Sequence, residues 1–217
     1  MKPELNKIYT GDCLEIMRQW PDECFDIVLM DPPYGMSYQS NRYKDGNPFK
    51  PIEGDGHYPL EALQQAFRLA RNAVFTFCRW NNLKELPIPK SFIVWAKNNW
   101  TAGDLEHEFG RSWEGVAFYA MDRHSWRHGR PSDVYDFRRV PPTALEHPTE
   151  KPIAILDRLL DSTLGDTVLD PFCGTGPTWV AAYRLGMSFT GVEINPDYVK
   201  IAEERIARER AQLKLPL

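Results

Sequence analysis

Short apolar runs, separated by stretches with helical spacing, set the pattern of the chain. Phe25-Asp26-Ile27-Val28-Leu29-Met30 is almost continuously apolar and includes β-branched side chains. Such a run suits a strand covered on both faces, as in a parallel sheet. Ala73–Cys78, Ser91–Ala96, Gly115–Ala120, Thr167–Asp170 and Ser188–Glu193 read as further strands. Leu14 and Met17 share one face of a short helix that Pro21 and Asp22 stop. Leu60, Leu63, Ala66, Phe67 and Ala70 mark one side of a helix from Pro59 to Ala70. Pro152 to Leu160 is a third helix, with proline tolerated in its first turn. A fourth runs through Trp179, Val180, Ala181 and Ala182, and Tyr198, Ile201, Ala202 and Ile206 mark a terminal one. Strands alternating with helices predict an α/β fold: a doubly wound, mostly parallel sheet with helices on both faces. Residues 35–58 and 121–147 have no period and read as long loops, a length that is usually functional or mobile.

Composition narrows this picture. The 217 residues are enough for one domain, and 42% hydrophobic with 26% charged is ordinary for a globular chain. No run approaches the roughly 20 apolar residues of a membrane span. Met1 to Thr10 lacks a signal-peptide core, so a cytoplasmic location is expected. Cys13, Cys24, Cys78 and Cys173 form no C-x-x-C pair and are expected as free thiols. His124 and His128 stand four apart, but no H-E-x-x-H or further ligand spacing accompanies them, so no metal is expected. The net charge of −4 argues against a generally DNA-coating protein but allows a local basic surface.

Two segments carry candidate chemistry. Asp170-Pro171-Phe172-Cys173-Gly174-Thr175-Gly176-Pro177-Thr178 lies between a strand and a helix, and its glycines allow a sharp turn and close approach to a ligand. Glu193 ends the next strand, where a carboxylate can accept hydrogen bonds from both hydroxyls of a ribose. Trp179 stands where a dinucleotide fingerprint has its third glycine, so a nucleoside without phosphates suits the loop better. Asp31-Pro32-Pro33-Tyr34 follows the buried strand 25–30 and therefore sits at a carboxyl-end edge of the sheet. Its prolines stiffen the backbone and fix the Asp31 carboxylate and the Pro32 carbonyl as two acceptors. An exocyclic amine offers two N–H donors, which matches them in number, and Tyr34 offers a flat face for a base.

These residues resemble the amino-methylating DNA methyltransferases that use S-adenosylmethionine. The resemblance covers nearly the whole chain. Its parts are Gly11-Asp12-Cys13-Leu14-Glu15, the 25–34 block, His147-Pro148-Thr149-Glu150-Lys151-Pro152, the 170–176 loop and Gly191-Val192-Glu193-Ile194-Asn195. The order, DPPY first and cofactor loop last, is similar to the β group, with target recognition between them. The resemblance implies a Rossmann-like, seven-stranded class I methyltransferase fold. One domain would span 1–217: a catalytic segment 1–34, a target-recognition insertion at about 121–147 and a cofactor segment 148–217. It also implies roles. Phe172, Gly174, Thr175 and Gly176 would line the cofactor, Glu193 would hold its ribose, and Asp12 would reach its adenine amine. Lys151, with Thr149, would lie near the methionine part. Asp31, Pro32, Pro33 and Tyr34 would form the catalytic segment that holds the flipped base. Pro177, where such proteins more often carry Ser or Thr, departs from the pattern and removes one backbone N–H.

The expected reaction moves a methyl group to the exocyclic amine of a base extruded from double-stranded DNA. Adenine N6 is the first choice, because Asp opens the motif; cytosine N4 would fit the same acceptors. Residues 123–139 hold Arg123, Arg127, Arg130, Arg138 and Arg139 against Asp133 and Asp136, a balance of +3, with Trp126 interleaved. These side chains, with Arg42 and Lys44 of the earlier loop, are the candidate DNA contacts. The flanking segments carry the acidic excess, so −4 is an average over two unlike surfaces. A homodimer and a cognate restriction enzyme fit the resemblance, though no segment identifies an interface. Competing readings are an RNA or protein-glutamine methyltransferase, a nucleotide-binding oxidoreductase and a non-catalytic DNA-binding module.

Overall fold

The computed structural model describes residues 1–34, 57–97, 106–107, 109–138 and 150–212. Among these residues eight strands form one sheet: β1 (Lys7–Thr10), β2 (Phe25–Met30), β3 (Ala70–Cys78), β4 (Ser91–Ala96), β5 (Trp113–Ala120), β6 (Val134–Asp136), β7 (Thr167–Asp170) and β8 (Ser188–Glu193). Their order is β1-β8-β7-β2-β3-β5-β4-β6. β5 pairs antiparallel with β3 and β4, and every other pairing is parallel. The sheet is therefore mixed, with β5 alone opposed to the rest.

The eight strands correct the expected seven. β1 and β6 escape the apolar pattern because both are short edge strands, buried only at Ile8 and Tyr135 respectively. The direction of β5 is also invisible in sequence, since an apolar run has no polarity. Among the described residues five α-helices flank the sheet: α1 (Cys13–Met17), α2 (Leu60–Leu69), α3 (Ile153–Ser162), α4 (Pro177–Arg184) and α5 (Pro196–Gln212).

Side chains sort by the strand period of two. Ile27 and Leu29 of β2 face the layer that holds Ile155, Leu159, Trp179, Ala202 and Ile206 of α3, α4 and α5. Val28 and Met30 face the opposite layer, with Met17 of α1 and Leu63, Ala66 and Leu69 of α2. Each fully buried Leu or Phe contributes about 1.5–3 kcal/mol, so both faces of β2 must stay covered. β2 leads on to β3 and β7 leads on to β8, in opposite directions from two neighbouring strands. A crevice opens at such a reversal, at the carboxyl ends of the strands. Asp31 and Asp170 stand at those two ends.

Candidate active site

The 171–176 loop is shaped by its own backbone. The Phe172 N–H donates to Asp170 Oδ1 at 3.0 Å, and the Gly174 N–H donates to Glu193 Oε2 at 2.9 Å. The second Glu193 oxygen accepts from the Asn195 N–H at 2.9 Å. Gly174 and Gly176 have φ of +50° and +79°, which side-chain-bearing residues rarely adopt. A Cβ on Gly174 would meet nothing within 4 Å, so open space lies above the loop there. Pro177 is the first residue of α4, where the missing N–H would have had no helical partner. Burial pushes Asp170 up to about 7 and also raises Glu193.

Asp12 follows β1, and the Gly11 N–H donates to the Glu193 carbonyl at 3.0 Å, so the two acids sit on adjacent strand ends. Asp12 Oδ1 also caps α1, accepting from the N–H groups of Leu14 and Glu15. The open space over Gly174 and the Glu193 carboxylate, braced by two N–H donors, fit a nucleoside with free ribose hydroxyls.

A second cluster surrounds Asp31. Lys151 Nζ donates to both Asp31 oxygens at 2.7 Å, and Tyr34 Oη donates to Asp31 Oδ1 at 2.8 Å. Glu114, near the start of β5, lies 3.5 Å from both Lys151 Nζ and Tyr34 Oη. Lys97, just after β4, donates to the other Glu114 oxygen at 2.7 Å. The Lys151 ammonium also lies over the rings of Tyr34 and Phe77, at 5.3 and 5.0 Å. Burial pushes Lys151 down, but Asp31 and Glu114 outweigh it and hold the ammonium above its ordinary range. Burial pushes Glu114 up, but Lys151 and Lys97 outweigh it and hold the carboxyl at about 2. Tyr34 is raised by burial and by both carboxylates, so it stays a neutral donor. Asn82 of the 3-10 helix Trp80–Lys84 donates to the Tyr34 carbonyl at 3.1 Å and steadies the motif from behind. Pro32 is buried and Pro33 half-buried.

Glu150 joins the two clusters. Thr175 Oγ1 donates to one of its oxygens at 3.3 Å, and Arg205 of α5 donates to the other at 2.8 Å. Its neighbour Lys151 holds Asp31, so two consecutive residues clamp the glycine loop and the acid. Glu114, Lys97, Glu150 and Asn82 are the site residues that the sequence reading misses. Glu114 leaves one trace, a carboxylate at the head of an otherwise apolar strand.

The arginine-rich stretch divides between the two edges of the sheet. β5 ends at the amino-end edge of its neighbours, and residues 121–128 stay there. Arg123 pairs with Glu23 at 3.0 Å. Arg127 donates to the Gly165 carbonyl at 2.9 Å and lies 3.8 Å from Asp161. Trp126 bridges to Thr163 and stacks on Phe118, with centroids 5.4 Å apart. His124 packs edge-on against Phe118 and Trp126, and His128 lies 3.2 Å from Asp161. The fold thus does not bring Arg123, Trp126 or Arg127 together with Asp31. Arg130 is exposed ahead of β6, on the same amino-end side. Arg138 is exposed just beyond β6, at the carboxyl-end edge that holds Asp31. The expectations for Arg42, Lys44, Arg139 and Thr149 lie outside the described residues.

Residues 25–204 match the family model described as DNA methylase. The type II methyltransferase M.BglII of Bacillus subtilis is 27% identical over 96% of this chain and 71% of its own length. The DNA adenine methyltransferase YhdJ of Escherichia coli K12 is 24% identical over 94% of this chain and 83% of its own. The crystal structure of the M1.HpyAVI–SAM complex superposes with a TM-score of 0.65 at 23% identity, covering 92% of this chain and 98% of that one. The cytosine-N4-specific PvuII DNA methyltransferase superposes with a TM-score of 0.69 at 14% identity, covering 97% and 93%. At these identities the two structures attest the class I methyltransferase fold.

Proposed function

The chain belongs to the DNA methylase family, and from that premise we propose that it methylates the exocyclic amine of a base extruded from duplex DNA, adenine N6 before cytosine N4. S-adenosylmethionine is the methyl donor; when bound it supplies a sulfonium-activated methyl group. Glu193 and Asp12 are suited to its ribose and adenine. Phe172, Gly174, Thr175 and Gly176 are the loop residues that would line it.

One observation carries the reading: a rigidly held carboxylate, Asp31, is clamped to the glycine loop through Lys151 and Glu150. A carboxylate has about four acceptor sites. Among the described residues, Lys151 uses one on each oxygen and Tyr34 one on Oδ1, which leaves a single site, on Oδ2. That site and the Pro32 carbonyl match the two N–H groups of an amine. Accepting both fixes the nitrogen lone pair in one direction and stabilises the positive charge that grows on nitrogen. The site then needs no covalent intermediate, and the amine proton leaves after transfer. The base must come out of the stack to reach these acceptors.

Adenine is supported by the Asp that opens the motif and by the name of the relative YhdJ. The cytosine reading has its own support in the PvuII likeness. Asp31→Ala should retain cofactor binding and lose at least about a hundredfold in rate; near-normal turnover would refute the assignment. Nucleoside digests of methylated DNA should contain N6-methyladenine, and N4-methylcytosine alone would reverse the choice of base.

A further inference from the structure

Asp31 is held by Lys151, and Lys151 is itself held from behind. Four charged groups alternate along one line: the Lys97 ammonium, the Glu114 carboxylate, the Lys151 ammonium and the Asp31 carboxylate, at 2.7, 3.5 and 2.7 Å. The side chains of Lys151, Lys97 and Glu114 are only 6%, 11% and 21% exposed. Buried charges are costly unless opposite charges balance them. Here two ammoniums face two carboxylates, and Tyr34 stays neutral. The four groups come from four places in the chain: the ends of β2 and β4, the head of β5 and the entry to α3. β5 contributes because it alone runs antiparallel, which puts the beginning of that strand at the carboxyl-end edge. In register, Trp95 pairs with Glu114 and Ala96 with Trp113, so Lys97 and Glu114 meet across the β4–β5 seam.

We propose that Glu114 and Lys97 are positioning residues for Asp31: together they fix Lys151 as the anchor of both Asp31 oxygens and keep the pocket neutral around a cationic reaction centre. This rests on the methyltransferase reading above. A methyl transfer from a sulfonium to an amine carries one positive charge from sulfur to nitrogen. As the charge moves onto nitrogen it approaches Asp31 and Lys151. Without Glu114 the pocket holds two ammoniums against one carboxylate, and the excess charge opposes the transition state more than the ground state. Lys151 would also lean wholly on Asp31, closer to the acceptor site that the substrate amine requires.

Among the described residues, three further titratable groups stand near this line. Tyr58 and Cys78 stand on the β3 side and Asp170 at the end of β7. None of them bridges Lys97 to Lys151, so the two ends of the line communicate through Glu114.

The test uses the full chain with duplex DNA and compares Glu114→Gln, Lys97→Met, the double variant and Asp31→Ala. Rates, KM values, pH profiles and urea midpoints are measured for each. Glu114→Gln should lose at least about tenfold in kcat, less than a directly contacting group loses, with KM for DNA nearly unchanged. Removing Lys97 as well restores the charge balance, so the double variant should regain at least about threefold over Glu114→Gln. The titration of the Lys151 ammonium is read on the DNA-free protein, by NMR of its Nζ. It should move to lower pH in Glu114→Gln, which loses a stabilising carboxylate, and to higher pH in Lys97→Met, which loses a repelling ammonium. If Glu114→Gln does not fold, the Lys151 titration in Lys97→Met decides, and one that stays still or moves down overturns the proposal. Wild-type kcat in Glu114→Gln alongside an inactive Asp31→Ala overturns the positioning role and leaves the methyltransferase reading standing. An active Asp31→Ala overturns both.

Discussion

Asp170 is a residue whose chemistry its place in the fold alters strongly. It ends β7 fully enclosed, accepts the Phe172 N–H and shapes the turn into the glycine loop. Burial lifts its carboxyl from 3.8 to about 7. Between those values the folded chain holds a proton that the unfolded chain has released. Stability therefore falls as pH rises through that window and levels off above about 7. Across that window the effect has a ceiling of roughly 4 kcal/mol. Asp170→Asn keeps an oxygen acceptor for Phe172 and removes the titration. Urea unfolding should find this variant increasingly favoured over the native chain between pH 5 and pH 8. A stability difference that stays constant across that range would contradict the assignment.

Among the elements, β5 shows most clearly what a sequence conceals. The Phe92 ring of β4 lies across Gly115 of β5, so a Cβ there would come within 2.1 Å of it. Glycine at this position lets the ring close the seam beside Lys97 and Glu114. Gly115→Ala should cost about 1–3 kcal/mol, as overpacking does, read as a lowered urea midpoint; an unchanged midpoint would mean that the ring moves freely. The apolar runs of β2, β3, β4, β5, β7 and β8 were legible because both faces of a central strand are covered. Turn chemistry and helical spacing likewise located α2, α3, α4 and α5 to within a few residues. The convergence of Asp31 with the glycine loop was legible too, since both motifs follow strands. The line from Lys97 to Asp31 was not, because it depends on the reversed direction of β5 and on cross-strand register. Neither is written in the local pattern of either strand.

At the scale of the molecule, charge is arranged by edge. The amino-end edge pairs two of its arginines internally, Arg123 with Glu23 and Arg127 with Asp161 and the Gly165 carbonyl, and leaves Arg130 exposed. The carboxyl-end edge holds Asp31, the glycine loop and exposed Arg138 on one side of the sheet. Counting arginines along 123–139 could not separate these groups, because β6 carries the chain along the last three residues of β4 toward the carboxyl-end edge. A duplex that delivers a base to Asp31 must lie along the carboxyl-end edge. In that placement its phosphates would approach Arg138 and remain distant from Arg127. Phosphate contacts release counterions, so each one adds about one unit to the slope of log K against log salt. Arg138→Ala should weaken DNA binding at all sequences and flatten that slope by about one, with little change in stability. Arg127→Ala should leave the slope intact and lower the unfolding midpoint, since it removes a half-buried guanidinium from a carbonyl and a carboxylate, a loss of about 1–3 kcal/mol. Binding titrations at several salt concentrations, with urea unfolding of the same preparations, separate the two. A flattened slope in Arg127→Ala and an unchanged one in Arg138→Ala would put the DNA on the opposite edge, out of reach of Asp31.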